Sequence, residues 1–549
     1  MNTDAGEVQL VTADQIESTP QGVVKRWLAE LELSHQEEKD WREEALKLWD
    51  KYEAGKESDN NNTSFNIFWS NTDILGAAVY NSTPQPDVRR RFRDADPVGK
   101  AVSTVLERAL SYEIDIDDFD DEMQDVVLDV LVAARGLARV KYVPKFAQIP
   151  QNEPAGAAQG QAPPAPHEKL VDQNVPIEHV QWDDFRRGPG KRWKETPWIA
   201  FRHDFTYDMA VESFGEEIAG ALTYSQAQGT ENLGEDKEVR AVFKVCEVWE
   251  IWDREKRRVL FIAPTYKAAP CADIPDPLKL KGFWPTPKPA YAIRNSRKQV
   301  PAPLYRLYRA QAEELDRISA RINRTINALK IRGAYNAALG ELGGILDADD
   351  TDMLPVTNAA AVQDGELEKG IWLVPVDKLI QVLRGLYEAR DQVKQTIYEI
   401  VGIGDILRGA SDARETAKAQ AIKSQWGSIR VSKLQREIQR YARDLIRLRA
   451  EVIAEQFTPE HLAAITNVQL LTGEQKQMAQ QQLAMAQQPQ VDPMTGQQMQ
   501  PQPPDPQLIE ATQSPSWDEV MQVMRSDELR CYRVDVETDS TVAETINRD

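Results

Sequence analysis

The chain is 549 residues long, 41% hydrophobic and 28% charged, with a formal net charge of −21 at pH 7. That length exceeds what one simple core supports and points to roughly two to four structural units. The acidity excludes a protein that wraps nucleic acid non-specifically, because such binders neutralise phosphates with clustered Lys and Arg; any DNA contact has to be local.

The most apolar helical stretch, Val126 to Ala134, is interrupted by Asp129 and falls far short of a spanning length, so no membrane partner is expected. The opening MNTDAGEVQL has neither a basic n-region nor an apolar h-region, which makes the cytoplasm the default compartment. Cys246, Cys271 and Cys531 form no C-x-x-C pair, and read as small buried or neutral thiols rather than a disulfide framework or a zinc site.

In chain order, residues 18 to 55 read as a helix opened by Ser18, Thr19 and Pro20, with Trp27, Leu28, Leu31, Trp41, Leu48, Trp49 and Tyr52 apolar. The segment NNNTSFNIFWSNTD, 60 to 73, reads as a loop, and RRRFRD, 89 to 94, as an exposed basic turn. A helix after Asp94 to Pro97 carries Val102, Val105, Leu106 and Leu110. Glu113 to Asp125 is dense in acids and reads as a solvated loop and helix start, since no glycine turn or calcium-loop spacing accompanies it. From Gly136 to Ala263 the period shifts towards two, predicting strands, with a hairpin turn at Asp253 to Lys256. A Pro, Gly, Ala and Gln insertion at about 149–168 interrupts them. Trp182, Trp193 and Trp198 flank RRGPGKRW, a turn that contains G-x-G-K without the P-loop spacing.

The helical period then returns. From Pro303, Leu304, Tyr308, Leu315, Ile318, Ile322, Ile326 and Leu329 form one seam, and about thirty residues of helix would be about 45 Å long. After a loop-rich stretch, a second seam runs through Leu379, Leu383, Leu386, Val393, Ile397 and Ile400. It ends at VGIGDILRGASDARETAKAQ, 401 to 420. A third long helix is expected from Asp412 to Phe457, opened by Asp412 and Glu415 as a capping box and kinked at Gly427 and Ser428. One of its faces carries a basic stripe, Lys433, Arg436, Arg440, Arg443 and Arg447. Residues from about 473 to 513 are rich in Gln, Met and Pro and read as a flexible segment, disordered or only partly helical. A short helix, a strand and, at Thr541 and Glu544, a further helix start complete the chain.

No nucleophile, base or metal constellation has a specific spacing, so no catalytic residue, no metal site and no cofactor is assigned. The five histidines show no H-E-x-x-H pattern, and GIGDILRG lacks dinucleotide spacing and follows a helix. Two architectures remain open for the helix seams: a compact monomeric bundle, or a helix pair repeated around a ring.

The order of parts resembles the portal, or head-to-tail connector, proteins of tailed bacteriophages, particularly the short-tailed type. The resemblance is carried by STPQPDVRRRFRDADPV (82 to 98), VQWDDFRRGPGKRWKETPWIAFRHDFT (180 to 206), PAPLYRLYRAQAEELDRISARINRTINALKIRGAYN (301 to 336) and GIGDILRGASDARETAKAQAIKSQW (402 to 426). It implies an α+β, mainly helical fold assembled as a homo-oligomeric ring, a dodecamer, in the virion at one capsid vertex after assembly in the host cytoplasm. The implied parts are a wing at 1–302, a first stem helix at 303–333, a clip at 334–375 and a second stem helix at 376–401. A tunnel loop at 402–414, a kinked wing helix at 415–457 and a wing or crown segment at 458–549 complete them. Double-stranded DNA in transit, the large terminase subunit, head-to-tail adaptor and tail proteins, and the major capsid and scaffolding proteins are the implied partners. Arg408, Arg414 and Lys418 become candidates for the DNA channel, and the basic stripe Lys433, Arg436, Arg440, Arg443 and Arg447 for a subunit interface. Asp347, Asp349, Asp350 and Asp352 become candidates for clip docking. The alternatives are a non-catalytic coiled-coil scaffold without a DNA channel, which leaves the strand-rich middle unexplained, and a nucleic-acid enzyme, for which no P-loop or carboxylate metal cluster is found.

Overall fold

The computed structural model describes residues 12–53, 66–90, 96–149, 167–226, 243–295, 297–328, 333–335, 371–373, 376–403, 417–487, 505–526 and 534–538. The protein is α+β and mainly helical. It divides into two compact units: residues 1–49, 72–304 and 429–549, and residues 50–71 and 305–428. Among the described residues no helix is long and apolar enough to cross a membrane.

Helices α1 (Ala13–Ile16), α2 (Pro20–Tyr52) and α3 (Ile67–Val79) are followed by strand β1 (Pro86–Arg90) and helices α4 (Pro97–Ile116) and α5 (Phe119–Val132). Strands β2 (Arg135–Val140), β3 (Val143–Ile149), β4 (His167–Asn174), β5 (Ile177–Val180), β6 (Phe185–Arg187) and β7 (Trp198–Phe205) come next. Helices α6 (Tyr207–Phe214) and α7 (Glu216–Ala221) lead to β8 (Ser225–Gln226), β9 (Lys244–Asp253), β10 (Arg258–Ile262), β11 (Ala272–Pro275) and β12 (Ala290–Tyr291). Then follow α8 (Arg309–Ala328), β13 (Gly333–Tyr335), β14 (Ile371–Leu373), α9 (Val376–Val401) and α10 (Ala417–Gln456). The last elements are α11 (Pro459–Thr466), α12 (Gly473–Gln487), α13 (Pro506–Gln513), α14 (Trp517–Arg525) and β15 (Val534–Thr538).

In the first unit, α2 covers one face of an antiparallel sheet ordered β11-β10-β9-β7-β6. Val23, Val24, Trp27 and Leu31 recur at helical spacing and pack on Trp198, Ala200, Trp249, Ile251, Leu260 and Ile262, which share a face by strand alternation. Trp27 and Trp198 meet edge to face at 5.8 Å. The sheet turns at Asp253 as the sequence predicts: the Asp253 carboxylate accepts from the backbone N–H of Glu255 at 3.1 Å. A second sheet, β12-β2-β5, is overlaid by α10, whose Tyr441 hydroxyl donates to Ala138 O at 3.0 Å and accepts from Ala138 N at 2.5 Å. β3 and β4 pair on either side of the 149–168 insertion, of which 150–166 lies outside the described residues.

The acidic segment differs from the solvated loop expected. Its carboxylates cap outward N–H groups along β5 and its approaches: Glu113 accepts from Val175 at 2.9 Å and Asp117 from Ile177 at 3.0 Å. Glu122 accepts from His179, and Asp129 from Trp182 at 3.1 Å. A sheet edge that would otherwise invite another strand is closed by side chains. Glu113 is fully buried, and burial pushes its carboxyl above the ordinary range, as it does those of Glu122 and Asp129.

At the junction of the two sheets, Glu38 of α2 is buried among three guanidinium groups. Arg135 NH1 lies 2.9 Å from its Oε1, Arg42 NH2 2.9 Å from Oε2, and Arg187 Nε 3.2 Å from Oε1. Burial alone would raise this carboxyl; the attraction of Arg135, Arg42 and Arg187 outweighs it and holds the group at about 2. Arg42 and Arg135 also donate to the carbonyls of Phe185 and Trp182, at 2.7 and 2.8 Å, so one carboxylate gathers α2, β2 and the β5–β6 connection.

In the second unit, α8 and α9 form a hairpin whose far end carries the antiparallel pair β13 and β14. Tyr308, Ala312, Leu315 and Ile322 are buried on one side, and Leu386, Ile397, Tyr398 and Ile403 on the other. Tyr305, in a 3-10 turn before α8, packs against Phe68 at 5.0 Å and accepts from Lys51 at 2.8 Å. α9 has the bounds expected from its seam. It ends at Gly402, where φ is +82° and the N–H returns to Tyr398 O at 2.8 Å.

Other expectations are corrected. Residues 67 to 73 are helical, because Asn66 caps α3 by accepting from Trp69 N at 3.1 Å, and Ile67, Phe68, Leu75 and Val79 are buried. Arg89 and Arg90 belong to β1, not a turn, and pair with Asp535 and Val534 of β15. The first long helix runs from Arg309 to Ala328, and Gly333 already lies in a strand. Of residues 473 to 513, 473–487 form α12 and 506–513 form α13, the partly helical alternative: Thr472 and Gln475 make reciprocal cap bonds of 3.2 and 3.0 Å, and Gln tolerates helix well. α10 crosses from one unit to the other between Ser428 and Ile429, beside the residues expected to kink. The expected capping box at Asp412 and Glu415 and the helix start at Thr541 lie outside the described residues.

Glu38→Gln lowers the unfolding free energy at neutral pH by about 3–5 kcal/mol in urea titration, because buried Arg135 loses its carboxylate while Arg42 and Arg187 keep only Asp183 and Glu37 at the margin of the cluster. Glu38 is held low, so its contribution is complete above the ordinary carboxylate range and disappears as pH falls towards about 2. The gap between wild type and Glu38→Gln therefore closes under acid. Glu113 behaves oppositely: its raised carboxyl costs stability at neutral pH, and the cost shrinks as pH falls into the ordinary range. Glu113→Gln keeps an acceptor for Val175 and changes stability by about 1 kcal/mol or less; a loss as large as that of Glu38→Gln would refute this assignment.

Candidate functional site

The α8–α9 hairpin combines surface features that its own fold leaves unused. Beyond the buried seam it exposes Leu307 (55%), Ile326 (44%), Ile380 (37%), Val382 (48%) and Tyr387 (36%). Ile326 belongs to the seam expected from the sequence, yet it is exposed. Scattered exposed apolar residues are ordinary, but several on one slender helix pair point to a partner surface.

Charge follows the same division. On α8, Arg317, Arg321 and Arg324 stand at i, i+4 and i+7 and are all exposed, a basic row along one line of the helix. On α9, Glu388 and Asp391 are exposed. Asp391 lies 3.7 Å from Arg390 and 4.0 Å from Lys394, pairs that are too open to consume its charge. Glu313 and Glu314 on α8 and Lys378 and Arg384 on α9 are exposed as well, so each helix presents charges of both signs.

The basic stripe of α10 is divided by the structure. Lys433 and Arg436 are exposed. Arg440 is committed within its own chain: it donates to Glu437 at 2.9 Å, Asp444 at 3.1 Å and the carbonyl of Lys288 at 3.1 Å. Arg443 shares Asp444 at 3.0 Å, and Arg447 is partly covered. The most deeply held arginine of this helix is Arg449, outside the expected stripe; it is buried, donates to Val175 O at 2.8 Å and pairs with Asp117. The five-residue stripe is therefore not one continuous open surface. Arg408 and Arg414, and the clip candidates Asp347, Asp349, Asp350 and Asp352, lie outside the described residues. Lys418 falls in the first turn of α10, with its side chain outside the description.

The remaining buried charges are partnered for packing. Arg139 joins Glu250 at 2.6 Å and Glu178 at 2.9 Å, and His203 meets the same Glu250 at 2.8 Å. Burial alone would raise the Glu250 carboxyl, but Arg139 and His203 hold it far below the usual range. His179 contacts Asp129 at 2.8 Å, and this bond outweighs burial and raises the imidazole. Among the described residues no group of three or more His, Cys, Asp and Glu side chains could hold a metal ion. Cys246 and Cys271 are buried free thiols, both pushed up by burial.

Compared with known proteins, the chain matches no family model, and no curated protein is found similar to it.

The sequence reading missed the exposed apolar positions and the α8 arginine row. Their signal was present: Leu307, Ile380, Val382 and Tyr387 are apolar residues off the main seam, and Arg317, Arg321 and Arg324 recur at helical spacing. The hairpin also depends on Gly402, whose left-handed backbone turns the chain out of α9. Gly402→Ala costs about 1 kcal/mol of stability, read as a lowered urea midpoint with unchanged slope.

Proposed function

We propose that this chain is a portal protein of the short-tailed phage type, a ring of identical copies forming the channel through which duplex DNA enters and leaves a capsid. The reading is supported most by the α8–α9 hairpin: it lies between two sequence segments of the strand-bearing unit and keeps five large apolar side chains exposed. These side chains are already about half covered, so burying the rest of each on a neighbouring copy would contribute roughly 1 kcal/mol, a modest sum that favours association. The chain order also fits: a strand-rich unit, a helix, a clip flanked by β13 and β14, a returning helix, a glycine-turned loop and a long helix leading back. An acidic chain suits a conduit, since a mostly repulsive wall lets DNA slide while a few cations make transient contact.

On this reading the ring is a dodecamer in the virion, with no catalytic centre of its own. The region between β13 and β14 meets the terminase during packaging and the adaptor and tail proteins afterwards. The first unit meets the capsid and scaffolding proteins. A coiled-coil scaffold would bury the same hairpin residues but would enclose no hole.

Native mass spectrometry with negative-stain imaging separates these readings: a closed ring of about twelve copies with a central hole is expected. A monomer or dimer under all assembly conditions would overturn the proposal. Val382→Asp together with Ile326→Asp is expected to leave the circular dichroism of the monomer intact and abolish ring formation. Arg408→Ala with Arg414→Ala is expected to give intact rings that package or retain DNA poorly; normal packaging would remove these two residues from the channel.

A further inference from the structure

One motif of the sequence, RRGPGKRW, has no role in the proposed channel, and the structure surrounds it with other cationic loops of the first unit. Gln299 donates to Gly190 O at 2.9 Å and to Thr196 Oγ1 at 3.2 Å, which brings the 297–299 segment against the 188–195 loop. Arg254, in the β9–β10 turn, donates to Lys194 O at 2.8 Å and lies 6.0 Å from the ring centre of Trp284. Trp284 is itself 6.4 Å from Trp193. Arg257 donates to Leu280 O at 2.9 Å, fixing the 279–284 segment beside the same turn.

These loops carry Lys191, Arg192 and Lys194 exposed, with Lys279 and Lys281 on one side and Arg297 and Lys298 on the other. None of these cations has a carboxylate partner among the described residues. The acids exposed on the same loops are Glu195 and Glu255. In a chain of net charge −21 this is a concentrated basic surface made by distant parts of the sequence. We propose that it binds the phosphate backbone of duplex DNA, without base specificity.

Two features favour a nucleic acid over an acidic protein. The cations come from separate loops and are spread over a surface, which matches a linear polyanion rather than one small anion in a pocket. The patch is also poor in apolar anchors of the kind protein interfaces use: Trp284 is buried, and the half-buried Trp193 is the large aromatic left partly open on these four loops.

The test uses the full-length protein and covalently closed circular duplex DNA, which has no end to thread through a ring. Binding is measured by filter retention between about 50 and 200 mM salt. The wild type is expected to retain the circle with a steep salt dependence. Combining Lys191→Gln, Arg192→Gln and Lys194→Gln should weaken binding about tenfold and reduce the log–log salt slope by roughly 2 to 3. Lys279→Gln with Lys281→Gln, on a separate loop, should do the same to a smaller degree, while Lys433→Gln with Arg436→Gln should leave binding unchanged. Unaltered affinity and slope in both patch variants would overturn the proposal. So would retention of linear DNA alone, or competition by polyglutamate as effective as DNA at equal charge, which would assign the surface to an acidic protein. The inference stands apart from the ring: a chain that failed to form rings would still bind circles through these loops, and a ring could form without binding them.

Discussion

The first unit depends on the burial of one carboxylate among three guanidinium groups. Glu38 lies on a long amphipathic helix, Arg135 opens the central strand of one sheet, and Arg187 ends the edge strand of the other. A buried charge without partners is strongly unfavourable, so the elements come together in an arrangement that pairs Glu38 with the three arginines and gives the carbonyls of Trp182 and Phe185 their donors. Apolar packing around the cluster, including Trp41 against Trp182 at 5.5 Å, supplies the bulk of the burial. The ions fix the register of what is packed.

The same logic recurs where α4 and α5 meet β5. Carboxylates do the work of a neighbouring strand, so the edge is closed without extending the sheet. Arg449 reaches into this region from α10 and pairs with Asp117, which ties the returning helix to the acid-capped edge. Residues more than three hundred positions apart in the chain thus share one electrostatic arrangement. The first unit can accept a long excursion of the chain between residues 304 and 429 because the segments on both sides of it are locked into a common core.

The second unit has a different balance. Its helix pair buries a narrow seam, and its remaining surface carries exposed apolar residues and charges of both signs. A narrow seam leaves apolar flanks that the pair itself does not cover.

Periodicity by itself determined much of the architecture: the bounds of α9, the course of α2 and α4, the strand-rich middle and its turn at Asp253 were all legible, because each follows from local spacing of apolar residues and caps. Only the tertiary structure decided the fate of the charges and of the apolar residues off the seam. Glu113 and Asp117 look like a solvated run until β5 arrives with open N–H groups. Arg440 looks like a surface stripe until Glu437, Asp444 and the carbonyl of Lys288 converge on it. Ile326 looks like seam until it is found exposed. RRGPGKRW becomes part of a basic face only when loops about sixty and about a hundred residues further on fold against it. The physical reason is common to all four: local periodicity is written in neighbouring residues, whereas the partner of a charge, or the cover of an apolar side chain, is supplied by whatever part of the chain folding brings alongside.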